Sequence, residues 1–236
     1  MALLEICVDT IEGAEAALAG GADRVELCSS LSEGGLTPSA GLMHAAAALP
    51  IPCYAMICPR CGLFDFCDAE TNIMLRDVTE AREAGLAGVV LGVQRADGAL
   101  HEAVLAKLIQ EAGEMGKTLH RVIDVVPSPL DGLETAMALG FDRVLTSGAE
   151  PFAPEGVPLI QQMVRRSEDR ISIMPGCGLA PENVQEVIAQ TGVHEVHAAC
   201  TVKAEGDPAF SDFAPPNGRF ITSADEVAKM RGACCS

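Results

Sequence analysis

Short β-branched runs alternate along the chain with Ala- and Leu-rich stretches whose apolar residues recur at helical spacing. One register repeats four times: Gly21-Ala-Asp-Arg-Val25, Gly85-Leu-Ala-Gly-Val89, Gly140-Phe-Asp-Arg-Val144 and Gly192-Val-His-Glu-Val196. Each glycine ends a helical stretch and opens a strand, the place of a left-handed C-cap. Successive copies lie 64, 55 and 52 residues apart, about twice the length of a βα unit. Four more strands are predicted at residues 3–9, 51–59, 118–125 and 171–176. Helices are predicted near 10–19, 39–48, 69–84, 101–114, 130–139, 156–167 and 181–190.

Strict alternation of eight strands with helices implies parallel pairing through right-handed crossovers. The pattern predicts an α/β fold, a single (β/α)8 TIM barrel over residues 1–201. Residues 202–236 read as a C-terminal extension with a short helix near 223–231. An open doubly wound sheet is disfavoured, because no Gly-x-Gly-x-x-Gly follows the first strand.

The same alternation assigns faces. Val25, Leu27, Val89, Leu91 and Val144 suit the helix-packed outside of a barrel, so Glu26, Val90, Leu145 and His197 point inward. One step nearer the C-terminal rim come Cys28, Gly92, Ser147 and Ala199. On the first strand Glu5, Cys7 and Asp9 are inward, on the third Met56, Cys58 and Arg60, and on the fifth His120, Val122 and Asp124. The first, second and eighth strands are neighbours in a closed barrel, which brings Glu5, Glu26 and His197 together. Buried carboxylates need partners, and Arg60 is the expected counter-ion.

Composition narrows the function. Sixteen basic against 33 acidic residues give a net charge of −17, with no Trp and one Tyr. That argues against nucleic acid, which needs a basic surface, and against anionic membranes. The first ten residues lack a basic n-region, and four prolines interrupt the longest uncharged stretch, residues 36–59. Neither is a leader or a membrane helix, so the expected location is cytoplasmic. Ten cysteines then read as reduced thiols and turn attention to soft metals.

Two chemistries are open to these residues. Cys7 and Cys28 face each other across adjacent strands, with Met56 and Cys58 next to them, and thiolate and thioether ligands select Cu(I). Alternatively, Glu5, Glu26, His120, Asp124 and His197 would move protons on a small phosphate- or carboxylate-bearing substrate. Arg60 and the small-residue turns at Ser147, Gly148 and Gly176 would hold its anion. The Cys58-x-x-Cys61 pair, followed by Cys67, fits a redox helix N-terminus poorly.

Leu4-Glu-Ile-Cys-Val-Asp9, Gly21-Ala-Asp-Arg-Val-Glu-Leu-Cys-Ser29, Ser32-Glu-Gly-Gly-Leu-Thr-Pro-Ser39, Leu119-His-Arg-Val-Ile-Asp124, Arg143-Val-Leu-Thr-Ser-Gly148 and Ile173-Met-Pro-Gly176 together resemble the CutC family. The resemblance runs through residues 3–201. It implies a TIM barrel, a cytoplasmic copper homeostasis role, a homo-oligomer with a dimer favoured, and Cu(I) at Cys7 and Cys28. Where relatives carry Ile-Arg-Pro-Arg-Gly-Gly-Asp-Phe, this chain has Ile57-Cys-Pro-Arg-Cys-Gly-Leu-Phe64. The usual triple glycine is Gly176-Cys-Gly178, and the His-Ser/Cys-Ser of the eighth strand is His197-Ala-Ala199. Each departure that gains a cysteine gains a soft ligand.

Overall fold

The computed structural model of the chain describes residues 2–205 and 218–235. Eight parallel strands form one sheet: β1 (Leu3–Val8), β2 (Arg24–Leu27), β3 (Cys53–Met56), β4 (Gly88–Leu91), β5 (Gly116–Leu119), β6 (Arg143–Thr146), β7 (Ser172–Pro175) and β8 (Glu195–Ala198). Hydrogen-bonded order runs β7-β6-β5-β4-β3-β2-β1-β8, and β7 packs beside β8 to close the ring. The fold is the (β/α)8 barrel that the alternation predicts.

Helices α1 (Ile11–Ala19), α2 (Ala40–Ala47), α3 (Asp68–Ala84), α4 (Glu102–Ala112), α5 (Pro129–Leu139), α6 (Val157–Ser167) and α7 (Val184–Thr191) fill the crossovers. Their starts follow side-chain caps: Thr10 Oγ1 accepts from Gly13 N, Ser39 Oγ from Leu42 N, and Ser128 Oγ from Asp131 N just before Pro129. Their ends follow the repeat, since Gly85, Gly140 and Gly192 are left-handed C-caps. The core lies between the two layers, where Leu4, Ile6, Leu27, Leu91 and Leu119 from the strands meet Met43, Met74, Leu105 and Leu133 from the helices.

Beyond β8 a two-stranded hairpin, β9 (Thr201–Lys203) with β10 (Phe220–Thr222), leads to α8 (Ala224–Cys234). Part of the expected extension, residues 206–217, lies outside the described residues. Helix α8 packs against α1, α7 and β1 and buries Val227, Met230 and Cys234, so it stands as the eighth helix of the ring.

Two expectations are corrected. The fifth strand does not continue to residue 125: it ends at Leu119, and a 3-10 turn covers Arg121–Asp124. Its cause is local, because His120 Nδ1 accepts from Val122 N and bends the chain out of the ladder. Likewise β3 stops at Met56, so Arg60 sits in the following loop and not on an inward strand face.

Candidate metal centre

The barrel interior is divided by height. Toward the N-terminal end of the strands lies an ionic layer: the Arg24 guanidinium bonds the Glu5 carboxylate and reaches Glu195 at 2.5 Å. Arg143 holds Glu195 at 3.1 Å and Thr118 at 3.3 Å. Both guanidiniums lie over the Tyr54 ring, 5.3 and 5.0 Å from its centre. Tyr54 lies across the barrel against Gly88 and Gly116, where an added Cβ would come within 2.1 and 2.0 Å of it. The counter-ion of Glu5 is therefore Arg24, not Arg60. Arg60 instead bonds Glu70 at 2.6 Å and the Leu63 carbonyl at 2.6 Å, locking the loop after β3.

Arg24, Arg143, Glu195 and Tyr54 escaped the sequence reading, although the signal was present. Residue 24 shares the inward parity of Glu26, and Arg24 and Arg143 occupy the same slot of the glycine repeat.

Above this layer, at the C-terminal end of the strands, opens a cavity of about 550 Å³. At its base Cys7 Sγ, a Glu26 carboxylate oxygen and a His197 ring nitrogen all lie within 4.8 Å of one another. The register explains the meeting: Cys7 pairs with Glu26 across β1 and β2, and Glu5 with His197 across β1 and β8. His197 Nδ1 contacts Glu5 Oε1 at 2.8 Å, which leaves Nε2 facing Glu26 Oε2 at 3.7 Å. Glu26 Oε1 is buried without a hydrogen-bond partner among the described residues. Cys28 Sγ joins the group through Glu26 Oε2 at 3.6 Å, and Met56 and Cys58 line the cavity above.

The electrostatics are those of a buried, negatively biased cage. Burial raises the Glu5 pKa, but the His197 bond and the Arg24 charge outweigh it and bring it down to about 2. Burial lowers the His197 pKa, yet Glu26, Cys7 and Glu5 around the ring hold it well above the ordinary 6.5. Glu26 is pushed upward, first by burial. The Cys28 thiol is pushed well above 9, again by burial and then by Glu26. One soft sulfur, one imidazole and one unpaired carboxylate oxygen suit a copper or other borderline ion. The Glu5–His197 pair also matches the outer-shell carboxylate that orients a ligating histidine.

The other expected site residues are placed differently. Asp124 is spent on a clasp, its oxygens accepting from Thr146 Oγ1, Ser147 N and Oγ, Ala149 N and Arg121. Ser147 is part of that clasp, Gly148 N donates to Thr146 Oγ1, and Gly176 N donates to the Thr146 carbonyl. His120 lines the cavity with its ring 4.6 Å from Phe64. Burial lowers its pKa to about 4 and keeps it neutral.

Among solved structures, a CutC from Streptococcus agalactiae, described as a candidate copper homeostasis protein, superposes with a TM-score of 0.80 at 30% identity, over 84% of this chain and 98% of that one. Phosphoribosylanthranilate isomerase from Thermotoga maritima reaches 0.60 at 16% identity over all of both chains, a likeness of fold. Curated relatives named family protein CutC include one from Sinorhizobium medicae, 49% identical over 98% of this chain and 95% of its own length. Another, from Caulobacter vibrioides, is 46% identical over 94% and 93%. The CutC family model matches residues 2–202, and with these relatives it establishes that the chain belongs to the CutC family.

Proposed function

We propose that this chain is a copper homeostasis protein that binds Cu(I) inside the barrel, at the base of the mouth cavity. The observation that carries the reading is the meeting of Cys7, Glu26 and His197 beneath that cavity, with one Glu26 oxygen unpaired. Cys7 supplies the thiolate and His197 the imidazole, held in aim by Glu5. Cys28, Met56 and Cys58 are the nearby sulfur donors that the sequence pairs with this site. Glu26 offsets the charge of the ion. All ten cysteines are free thiols, which supports a reducing, cytoplasmic setting.

Competition between the fully reduced protein and a Cu(I) chelator tests this. Cys7→Ser should weaken binding by at least about 100-fold, and Glu5→Gln by about 10- to 100-fold through the loosened imidazole. Unchanged affinity in Cys7→Ser would overturn the reading. The enzymatic alternative has less support: the groups expected to grip an anion, Arg60, Ser147 and Gly148, are already engaged with the protein.

A further inference from the structure

A Cu(I) ion leaves two features of the inner site unused. The first is Glu26. Cu(I) selects thiolate, thioether and imidazole, whereas a carboxylate oxygen is a donor for harder, divalent ions. Glu26 is only 3% exposed, and its Oε1 is bonded to nothing among the described residues. A buried carboxylate oxygen without a partner lowers stability, so its presence asks for an occupant. The second feature is space. The cavity above the site measures about 550 Å³, far more than one ion fills and within the usual range of small-molecule pockets.

The donors suit a harder ion in reach and in charge. Cys7 Sγ, a Glu26 oxygen and a His197 ring nitrogen lie within 4.8 Å of one another. Ligand atoms on a tetrahedral ion with bonds of about 2.0–2.3 Å stand roughly 3.3–3.8 Å apart. His197 Nε2 is 3.7 Å from Glu26 Oε2. Behind these two, Glu5 holds the other His197 nitrogen at 2.8 Å and Cys28 Sγ donates to Glu26 Oε2 at 3.6 Å. Glu5 is already balanced by Arg24, and Glu195 by Arg143. The Cys7 thiolate and Glu26 then carry two negative charges, which a divalent ion balances and Cu(I) does not. Among the described residues, the set of His, Cys, Asp and Glu within mutual reach stops at three, and all three line the cavity. Structural sites close with four protein ligands, whereas three ligands and a position turned to open space characterise a metal that acts on a small molecule.

We propose that the Cys7, Glu26 and His197 group takes a divalent ion of borderline softness, of the Zn(II) type, with Glu26 as a direct ligand and a fourth position open to the cavity for the oxygen donor of a small molecule. The proposal goes beyond the copper reading: it shares the site, but neither the ion nor the role of Glu26. On binding, the Cys7 thiol releases its proton to solvent. The apolar wall of the cavity, with Met56, Phe64, Leu145 and Leu179, then receives the body of the molecule whose oxygen meets the ion.

The test is a Zn(II) titration of the reduced protein against a chromogenic chelator, run beside the Cu(I) titration, on wild type, Cys7→Ser, Glu26→Gln and Glu26→Asp. Thermal unfolding checks that each variant is folded, and Glu26→Asp keeps the carboxylate if Glu26→Gln does not fold. The expected result is one tight Zn(II) equivalent, weakened at least about 100-fold in Cys7→Ser and Glu26→Gln and less in Glu26→Asp. Glu26→Gln should weaken Zn(II) at least about ten times more than Cu(I), because only the divalent ion takes the carboxylate as a ligand. Zn(II) binding that is absent, or equal in wild type and Glu26→Gln, overturns the proposal, while the Cu(I) titration still decides the copper reading. Zn(II) bound as expected with no Cu(I) bound overturns the copper reading and leaves the divalent site standing. Co(II) in place of Zn(II) then reads the fourth position. A thiolate-to-cobalt absorption lost in Cys7→Ser, and visible bands that move when acetohydroxamate is added, are expected. Bands that do not move overturn the open position.

Discussion

His120 shows how one side chain can be fixed in charge and direction by its neighbours. Val122 N donates to Nδ1 at 3.1 Å, so the ring proton belongs on Nε2, and protonating Nδ1 would break that bond. Burial lowers the folded pKa from 6.5 to about 4. The unfolded chain therefore binds a proton that the folded chain refuses between these values, and stability falls as pH falls from 6.5 to 4. The loss from this residue is about 3 kcal/mol. His197 acts in the opposite window: its raised pKa adds stability below 6.5 that is lost only as pH rises through the folded value. His120→Phe should remove the acid-side slope, seen by comparing urea midpoints at pH 7 and pH 4.5. A variant that loses as much stability as the wild type between those pH values would refute the assignment.

At the level of elements, the strand glycines of β4 and β5 are explained by a residue of β3. The Tyr54 ring occupies the space above Gly88 and Gly116, and the two buried arginines stack on it. Gly88→Ala should cost about 1–3 kcal/mol by overpacking, most of it recovered when Tyr54 is replaced by Leu in the same chain. Equal costs in the two backgrounds, measured by denaturant unfolding, would show that the ring is not what the alanine meets. Helix positions were legible in the sequence because caps and C-terminal glycines are local signals. The end of β5 was not, because it turns on a single side-chain bond from His120 to its own backbone neighbourhood. The site was half legible. Two-residue alternation places Cys7, Glu26 and His197 inside, but which arginine meets Glu5 depends on where β3 stops.

Over the whole molecule, the barrel separates two kinds of polar interior. The arginine and glutamate layer is closed by its own ion pairs, whereas the group above it keeps an unpaired carboxylate oxygen under an open cavity. Cys7, Cys58, Cys177 and Cys200 line the cavity of this second region, and Cys58 and Cys177 stand where the family resemblance expects arginine and glycine. No described helix is long and apolar enough to cross a membrane. The proposed copper site gives its ion both a sulfur ligand, Cys7, and an imidazole ligand, His197. X-ray absorption at the copper edge, on the reduced protein loaded with one equivalent of Cu(I), reads those ligands directly. The expected result is a copper shell of sulfur and imidazole nitrogen, with the nitrogen contribution lost in the His197→Ala protein. An all-sulfur shell, unaltered by that change, would contradict it.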